Sequence, residues 1–176
     1  MHGSVTEHSF FVFLFSDVSR VFTHELVRHR VGTSISQESF RYVRLDKIPF
    51  WMPEWAKQDE ELASQCENIL DQLESFQLWM ANHFNLDESN DFSYKKHMTS
   101  FMRRFAPEGV ATSIVWGANL RTLRHVIEMR TASSAEEEIR IVFDKVANLI
   151  VNESPNLMAD MVCNKDGEWV SKFRKI

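Results

Sequence analysis

The densest group of side chains able to do chemistry is a run of cations followed by hydroxyls and amides. Arg28, His29 and Arg30 are consecutive, and the segment 31–40 adds Ser, Thr, Gln and Glu before the next arginine, Arg41. The guanidinium of arginine is a planar fork of donors that fits phosphate or carboxylate oxygens, and it keeps its charge when partly desolvated. Small hydroxyl and amide side chains can hydrogen-bond the rest of such a ligand. We therefore interpret this stretch as a nucleotide-binding site.

The distribution of charge along the chain also favours an anionic ligand. Six Lys or Arg residues lie between residues 20 and 47, acidic residues dominate between 54 and 91, and the segment 95–130 is again basic. Two basic segments on either side of an acidic one favour a small anion held from both sides, although scattered surface charge would give the same distribution. The net charge of −5 argues against a general nucleic-acid binder, which usually has a basic balance.

The composition is that of one folded domain, which we expect to span residues 1–176. Hydrophobic residues make up 44% of the chain, including 14 Phe and 5 Trp, so a buried core is expected rather than disorder. Cys66 and Cys163 have neither metal-ligand spacing nor the pattern of a disulfide framework, so we predict no metal site and a reducing, cytoplasmic location. No apolar run reaches membrane-spanning length, and the N-terminus lacks the features of a signal peptide.

The elements that must position the arginine cluster begin with a strand. Residues 9–15 form a short apolar run, which predicts a buried strand. Ser16 or Asp17 then caps a predicted helix, whose apolar positions recur every four residues at Val18, Phe22 and Leu26. This helix would deliver Arg28–Arg30 at its C-terminal end and stop at Gly32. Cations at a helix C-terminus also suit the helix dipole, which is the alternative explanation for the cluster.

The middle of the chain is predicted to be mainly helical. Apolar spacing indicates helices at about 59–81 and 92–105, followed by a short apolar link at 109–116. A further helix carries a second group of polar and charged residues, namely Asn119, Arg121, Arg124, His125 and Arg130. We interpret Arg124 as a solvated residue of that helix.

The last part of the chain is predicted to be a helix and a hairpin. Ser134 and Glu137 resemble a capping box for the helix, which Pro155 ends. A turn at 164–167 precedes a tail that can pair as a hairpin. The fold class that we predict is α+β, helix-rich, with a small antiparallel sheet built around the strand at 9–15.

Two separated motifs resemble those of the flavin-dependent thymidylate synthases. The first is Arg28-His29-Arg30 followed by Ser39-Phe40-Arg41-Tyr42, which is similar to the signature of that family. The second is Asn119-Leu120-Arg121 with the later His125, Arg130 and the segment 135–140. Shorter similarities are Arg103, four residues before Pro107, and the N-terminal pattern His2-x-Ser4-x-x-Glu7-His8. The resemblance touches nearly the whole chain and is least at 51–90.

The resemblance implies reductive methylation of dUMP to dTMP, a step of nucleotide biosynthesis. In that family methylenetetrahydrofolate supplies the carbon, NADPH supplies the reducing equivalents and FAD carries the hydride. It also implies a homotetramer with active sites at subunit interfaces, and neither a nucleic-acid nor a membrane partner. Because the cofactor carries the hard chemistry, the protein must supply binding, orientation and charge.

The resemblance assigns roles to individual residues. The residues expected to bind FAD are Ser4, Arg28, His29, Arg30, Gln37, Asn119, Leu120, Arg121 and His125. The residues expected to bind dUMP are Glu25, Arg28, Gln37, Glu38, Ser39, Phe40, Arg41, Arg103 and Arg130. Arg130 is also the expected catalytic residue, because it would stabilise the negative charge that develops at N3 of the uracil.

Three features depart from the family pattern. Eight residues separate Arg30 from Ser39, one more than the family usually has, and we expect Gly32 to absorb the extra residue. Glu25 stands where many members have Gln, and His125 where many have Asn. A carboxylate would repel a phosphate, so we expect Glu25 to point away from it or to meet the base. The N-terminal part is expected to be short relative to the family.

Two further hypotheses belong to other functional classes. The first is a non-catalytic or divergent homologue that binds nucleotide or flavin without turnover. The second is a purely structural helical protein whose arginines form salt bridges between subunits. A flavin spectrum of the purified protein and an activity assay distinguish them.

Overall fold

The computed structural model describes residues 3–173, which form a helix-rich chain with two small sheets, so the predicted α+β class is confirmed. The strands are β1 Phe10–Ser19, β2 Thr33–Gln37, β3 Ala111–Asn119, β4 Met161–Cys163 and β5 Trp169–Ser171. The α-helices are α1 Arg20–Leu26, α2 Glu54–Lys57, α3 Glu60–His83, α4 Phe92–Met102, α5 Leu120–Thr131 and α6 Glu137–Glu153. Short 3-10 helices lie at Gly3–His8, Arg103–Phe105 and Pro155–Leu157.

The larger sheet has the strand order β1-β3-β2, and the smaller one pairs β4 with β5. The amide of Leu120, just after β3, donates to the carbonyl of Ser9, just before β1, at 2.8 Å. The end of β3 therefore lies beside the beginning of β1, as in an antiparallel pair. In the smaller sheet β4 and β5 are antiparallel, with Cys163 opposite Trp169, which confirms the predicted hairpin.

The described residues divide into two compact units. The first unit contains the residues up to Phe15, then Phe22–Ser36, then those from Ile114 onward. The second unit contains Ser16–Val21 and Gln37–Ser113. That the whole chain is a single domain stays a prediction.

The core of the first unit is built from aromatic rings on strands and helices. Phe15 of β1 lies 5.3 Å from Phe22 and 6.1 Å from Phe143, measured between ring centroids. Trp116 of β3 meets Phe143 edge to face at 5.7 Å and is fully buried. Edge-to-face rings contribute about 0.5–1.5 kcal/mol beyond their buried area. The core therefore joins β1 and β3 to α1 and α6.

The second unit has two smaller apolar clusters. Phe40, Leu45, Ile48 and Val110 form one of them, and Met80, Ala81, Leu86 and Met102 form the other. The long helix α3 begins where the side chain of Asp59 accepts a hydrogen bond from the amide of Leu62 at 3.0 Å. The carboxylate of Asp91 caps α4 in the same way, by accepting from Ser93 and Tyr94. Both helices thus begin at an acidic N-cap, as the dipole favours.

The predicted boundaries were wrong at several points near the larger sheet. β1 continues to Ser19 where a helix was expected from Ser16 or Asp17, so Val18 lies in the strand. Asp17 has φ 58°, which is incompatible with a helix start at that residue. Most of the segment expected to be an apolar link, from Ala111 onward, belongs to β3, which suits its β-branched residues.

The N-terminus of α6 was also predicted wrongly. Its cap is Glu136, whose carboxylate accepts from the amides of Glu138 at 2.9 Å and Ile139 at 3.2 Å. The helix therefore begins after Glu136 and not after Ser134, where the capping box was predicted. A carboxylate two residues nearer the helix satisfies the free amides of the first turn instead.

The sequence predicted neither a disulfide framework nor a membrane-spanning segment. Both Cys66 and Cys163 are free thiols. No helix within residues 3–173 is both long and apolar enough to cross a membrane. His2, part of the N-terminal pattern, lies outside the described residues.

Candidate functional site

A cleft of about 620 Å³ opens on the first unit, and most of the predicted flavin residues line it. Its walls are formed by Glu7, Arg28, His29, Arg30, Val31, Gly32, Asn119, Arg121, Thr122 and His125. Ligand pockets usually have volumes of about 300–1,000 Å³. The cleft therefore has the size of a cofactor site.

The loop after α1 is held against the start of α5. Its Gly32 accepts a hydrogen bond from the amide of Asn119 at 2.9 Å, and the hydroxyl of Thr122 donates to the carbonyl of Val31 at 2.9 Å. Gly32 has φ +70°, and a Cβ there would lie 2.5 Å from both Asn119 Nδ2 and Thr122 Oγ1. Only glycine fits this position, because both the backbone and the space exclude a side chain.

The first turn of α5 provides a positive end to the cleft. The side chain of Asn119 caps the helix by accepting from the amide of Thr122 at 2.9 Å. The N-terminus of a helix carries partial positive charge and attracts anions. Arg121 stands on this turn and forms an ion pair with Glu7 at 2.6 Å. Together with Arg28 and Arg30 it makes the lining of the cleft rich in fixed cations.

Arg130, at the C-terminal end of α5, is held by two residues of the segment 25–29. Its Nη1 donates to Oε2 of Glu25 at 2.5 Å, and its Nη2 donates to the carbonyl oxygen of Glu25 at 3.1 Å. Its Nε donates to Nε2 of His29 at 2.8 Å. The Arg130 side chain is 13% exposed, so this ion pair is largely shielded from water.

His29 is neutral in this arrangement. Burial, and after it the nearby Arg130, His125 and Arg28, together lower the pKa of its imidazole to about 4, against the opposite effect of Glu25. A protonated imidazole has no lone pair to accept the hydrogen bond from Arg130. The geometry and the lowered pKa therefore agree on the neutral form.

The second unit holds the other group of predicted residues, on the segment 37–41 and at Arg103. The hydroxyl of Thr99 fixes the segment by donating to the carbonyl of Arg41 at 2.7 Å. Phe40 is 4% exposed, and the guanidinium of Arg20 lies over its ring at 4.5 Å. Burial lowers the pKa of Arg20, the charge of Arg103 lowers it further, and Glu38 opposes the change. Two arginines and one carboxylate therefore lie close together in this unit.

One predicted side chain in this group has an unused donor. Nε2 of Gln37 is buried and has no hydrogen-bond partner among the described residues. Buried polar groups without partners are uncommon, and each one costs folding free energy. A ligand oxygen would satisfy this donor.

The predicted residues belong partly to the first unit and partly to the second. The cleft of the first unit is lined by Arg28, His29, Arg30, Asn119, Arg121 and His125. Glu25 and Arg130 belong to the same unit. Gln37–Arg41 and Arg103 belong to the second unit. Ser4 is exposed on the 3-10 helix Gly3–His8. The side chain of Leu120 is 2% exposed, so it packs in the core, and its role in binding FAD stays a prediction.

Some residues were missed or misjudged from the sequence. Arg20 was counted only as part of a basic segment, and its proximity to Arg103 depends on a contact between distant segments. Thr122 was passed over, although a hydroxyl three residues after a helix cap is a recognisable position. Arg124, expected to be solvated, is 8% exposed and pairs with Asp160 at 2.7 Å. The solvated interpretation was wrong because α5 is covered on that face.

The family model of thymidylate synthase complementing protein matches residues 1–156. The flavin-dependent thymidylate synthase of Pyrococcus furiosus is 34% identical over 145 residues, which cover 80% of this chain and 54% of that protein. The enzyme of the same name from Clostridium tetani is 29% identical over 160 residues, or 89% of this chain and 64% of that one. The chain thus spans between about half and two thirds of the length of these relatives.

The fold is similar to that of a solved relative. A crystal structure of thymidylate synthase X from Helicobacter pylori, with FAD and dUMP, superposes with a TM-score of 0.65 at 21% identity. The match covers 90% of this chain and 76% of that one. A second structure of the Helicobacter pylori enzyme gives a TM-score of 0.58. With the family model matching most of its length, the chain belongs to the thymidylate synthase complementing protein family.

Proposed function

We propose that the protein methylates dUMP reductively to dTMP, with methylenetetrahydrofolate as carbon donor, NADPH as reductant and FAD as hydride carrier. The observation that carries the proposal is the cleft at the start of α5, where Arg28, Arg30 and Arg121 surround a capped helix N-terminus. The relatives of this family are named flavin-dependent thymidylate synthases, which supports the same reaction.

The lining of the cleft fits FAD. A pyrophosphate needs fixed cations, a helix N-terminus and a close approach of backbone, and Gly32 and Asn119 provide the close approach. Arg28, Arg30 and Arg121 would bind the phosphates, and His29 and His125 would contact the rest of the cofactor. When bound, FAD supplies hydride transfer, and the protein supplies its binding and orientation.

The second unit offers a site for the phosphate of dUMP. Arg20 and Arg103 are near one another and only partly exposed, and a dianionic phosphate would relieve the repulsion between their charges. Gln37 adds its unused donor, and Ser39 and Arg41 lie on the same segment. The negative charge of Glu38, which is close to Arg20, would have to be offset by these cations.

Replacing these arginines tests the phosphate site. We expect Arg20→Gln and Arg103→Gln each to weaken dUMP binding by about tenfold, as for the loss of a hydrogen bond between charged groups. FAD affinity should change much less. Titration calorimetry with each ligand measures both effects, and Arg104→Gln, at an exposed neighbouring position, is the control. An equal loss of affinity for dUMP and for FAD would contradict a phosphate contact.

Arg130 is the proposed catalytic residue. Its guanidinium would stabilise the negative charge that develops on the pyrimidine, which is an electrostatic role of the oxyanion-hole type. We expect Arg130→Ala to lose about 3 kcal/mol of transition-state stabilisation, roughly a hundredfold in rate, while FAD remains bound. Unchanged turnover in this variant would exclude the role.

Tritium release tests the reaction itself. Protein supplied with FAD, NADPH, methylenetetrahydrofolate and 5-tritiated dUMP should release tritium into water, and omission of any one of them should abolish the release. A protein that binds flavin but releases no tritium would be the non-catalytic homologue instead. A colourless protein that binds neither FAD nor dUMP would support the hypothesis of a purely structural protein.

We also propose a cytoplasmic homotetramer. The outer face of β1 exposes Phe10, Val12 and Leu14, which are 53%, 66% and 66% accessible. Monomeric proteins rarely expose a contiguous row of large apolar side chains, and such rows commonly mark subunit contacts. The two free thiols are consistent with a reducing compartment.

A further inference from the structure

We propose that Glu25 and His29 are positioning residues that hold Arg130 in a single orientation, with His29 fixed as the neutral tautomer that carries its proton on Nδ1. The proposal rests on the proposed function only in the part that assigns Arg130 to the pyrimidine. The tautomer and the orientation follow from the geometry of the protein alone.

The arginine is bound on three sides. A guanidinium has five N–H donors, and the structure uses one on Nε, one on Nη1 and one on Nη2. One N–H remains on each terminal nitrogen when only the described residues are considered. These two donors can serve acceptor atoms of a ligand. Holding the other three donors fixes the direction of this pair.

The hydrogen bond from Arg130 determines the protonation of His29. Nε2 of His29 lies 2.8 Å from Nε of Arg130, which always carries its proton, so Nε2 must be the acceptor. A neutral imidazole that accepts at Nε2 carries its proton at Nδ1. His29 also lines the cleft, where Nδ1–H is therefore an additional neutral donor for a ligand.

The charges around His29 stabilise the neutral form. Arg130 and His125 of α5 and Arg28 of its own segment all disfavour a proton on the ring, and Glu25 is the carboxylate that favours one. Glu25, however, is engaged by Arg130 at 2.5 Å and lies 3.9 Å from Arg28. The negative charge is thus shared between two arginines, and the imidazole is left with a net positive environment.

A merely structural ion pair would need only Glu25 and Arg130. The third contact, from Nε to His29, adds nothing to charge balance, because the imidazole is neutral. What it does is remove rotation of the guanidinium about its long axis. A precisely oriented donor is what transition-state stabilisation demands.

Nitrogen NMR of the unliganded protein tests the tautomer directly. With labelled histidine, one imidazole should show the Nδ1–H pattern at neutral pH and stay neutral well below pH 6.5, to about pH 4. Loss of that signal in His29→Gln assigns it, and His24→Gln, on the exposed side of α1, is the matched control. An Nε2–H tautomer, or an imidazolium at neutral pH, would overturn the proposal whether or not the protein is an enzyme.

A double-mutant cycle on dUMP affinity tests the positioning role. We expect His29→Ala to weaken dUMP binding by about tenfold and His29→Gln, whose amide oxygen can still accept from Arg130, by much less. In an Arg130→Ala background His29→Ala should have almost no further effect. A full tenfold loss in that background would show that His29 acts independently of Arg130, and the positioning role would be wrong.

The two tests separate the possible failures. If the wild-type protein binds FAD but shows no affinity for dUMP, the proposed function fails, and the NMR experiment still decides whether Arg130 and His29 are coupled. If dUMP binds and the cycle shows no coupling, the proposed function stands and the positioning role fails.

Discussion

Two glycines with left-handed backbone show how differently one residue type can be constrained. Gly32 has φ +70° and no room for a Cβ, whereas Gly167 has φ +80° with no atom within 4 Å of the position of a Cβ. Glycine is favoured at position 32 by both the positive φ and the neighbouring side chains, and at position 167 by the positive φ alone. Gly32 lies at the cleft, and Gly167 lies in the turn between β4 and β5.

Alanine at each glycine separates these effects. Gly167→Ala should cost about 1–2 kcal/mol of folding free energy, the usual cost of a left-handed alanine. Gly32→Ala should cost more and should also weaken FAD binding, because the loop must move away from Asn119 and Thr122. Urea unfolding and flavin fluorescence titration measure the two quantities. Equal stability losses with unchanged flavin affinity would show that the contact at Gly32 is unimportant.

At the residue scale, the sequence predicted the members of the cleft better than the interactions among them. Six of the residues predicted to bind flavin line the cleft, and they were singled out because their types and order are distinctive. Their binding of flavin stays a prediction. The ion pair between Arg130 and Glu25 was not predicted, since it joins residues separated by more than 100 positions. Glu25 was expected to point away from the phosphate or to meet the base, which stays a prediction; its carboxylate accepts a hydrogen bond from Arg130.

At the element scale, α5 is attached to the last part of the chain through a buried ion pair. Arg124 donates to Asp160 at 2.7 Å and to the carbonyl of Leu157 at 2.8 Å, and Ser171 of β5 donates to the same carboxylate. The two side chains of the pair are 9% and 17% exposed. Burial raises the pKa of Asp160, but the hydrogen bonds from Arg124 and Ser171 outweigh it and lower the pKa overall.

Breaking this pair should be costly. We expect Asp160→Asn to lose about 3 kcal/mol of folding free energy, because it leaves the charge of Arg124 buried without an opposite charge. Asp87→Asn is the matched control, since Asp87 pairs with Arg44 at 2.8 Å but is 74% exposed, and it should cost less than about 1 kcal/mol. Thermal or urea unfolding of both variants gives the comparison.

The same pair predicts a dependence on acidity. A carboxyl whose pKa is lowered in the folded state stabilises the protein above its unfolded pKa of 3.8, and this contribution is lost as the pH falls through the folded value. The stability difference between wild type and Asp160→Asn should therefore shrink below about pH 4. A constant difference down to strongly acidic pH would mean that the charge of Asp160 does not matter.

The elements themselves were predicted unevenly. The long helices have a clear apolar period and were found, apart from their ends. β2 and β3 were not recognised, because β2 is polar and short and the run before Asn119 gives no period that separates a strand from a link. The extension of β1 through Ser16–Ser19 depends on pairing with a distant strand, which local patterns do not reveal.

At the scale of the whole molecule, the outer face of β1 is the least expected feature. The apolar run of 9–15 predicted a buried strand, yet Phe10, Val12 and Leu14 are exposed in the isolated chain. Strands that are apolar on both faces are normally covered on both. The sequence therefore indicates a covered strand, and the single chain does not cover it.

Charged residues on this face test whether another subunit covers it. Val12→Lys combined with Leu14→Lys should dissociate the proposed tetramer, because each lysine would have to be buried in the contact. Val162→Lys, on the small hairpin and 37% exposed, should leave the assembly intact. Sedimentation velocity gives the mass of each variant. A tetramer that persists in the double variant would place the contact elsewhere.

The hairpin of β4 and β5 restricts the opening of α5, the helix whose first turn lines the cleft. Trp169 donates its amide to Thr131 at 3.0 Å and its indole N–H to Asp144 at 2.9 Å, so the hairpin closes the far end of α5 and ties it to α6. The near end of α5 is closed by Asn119 and the loop at Gly32. A helix whose two ends are both held by hydrogen bonds frays less readily than one with free ends. We expect the amides of α5 to exchange with solvent only when the hairpin and α6 open with it. The first turn of α5, which lines the cleft, should therefore belong to the slowest-exchanging part of the first unit.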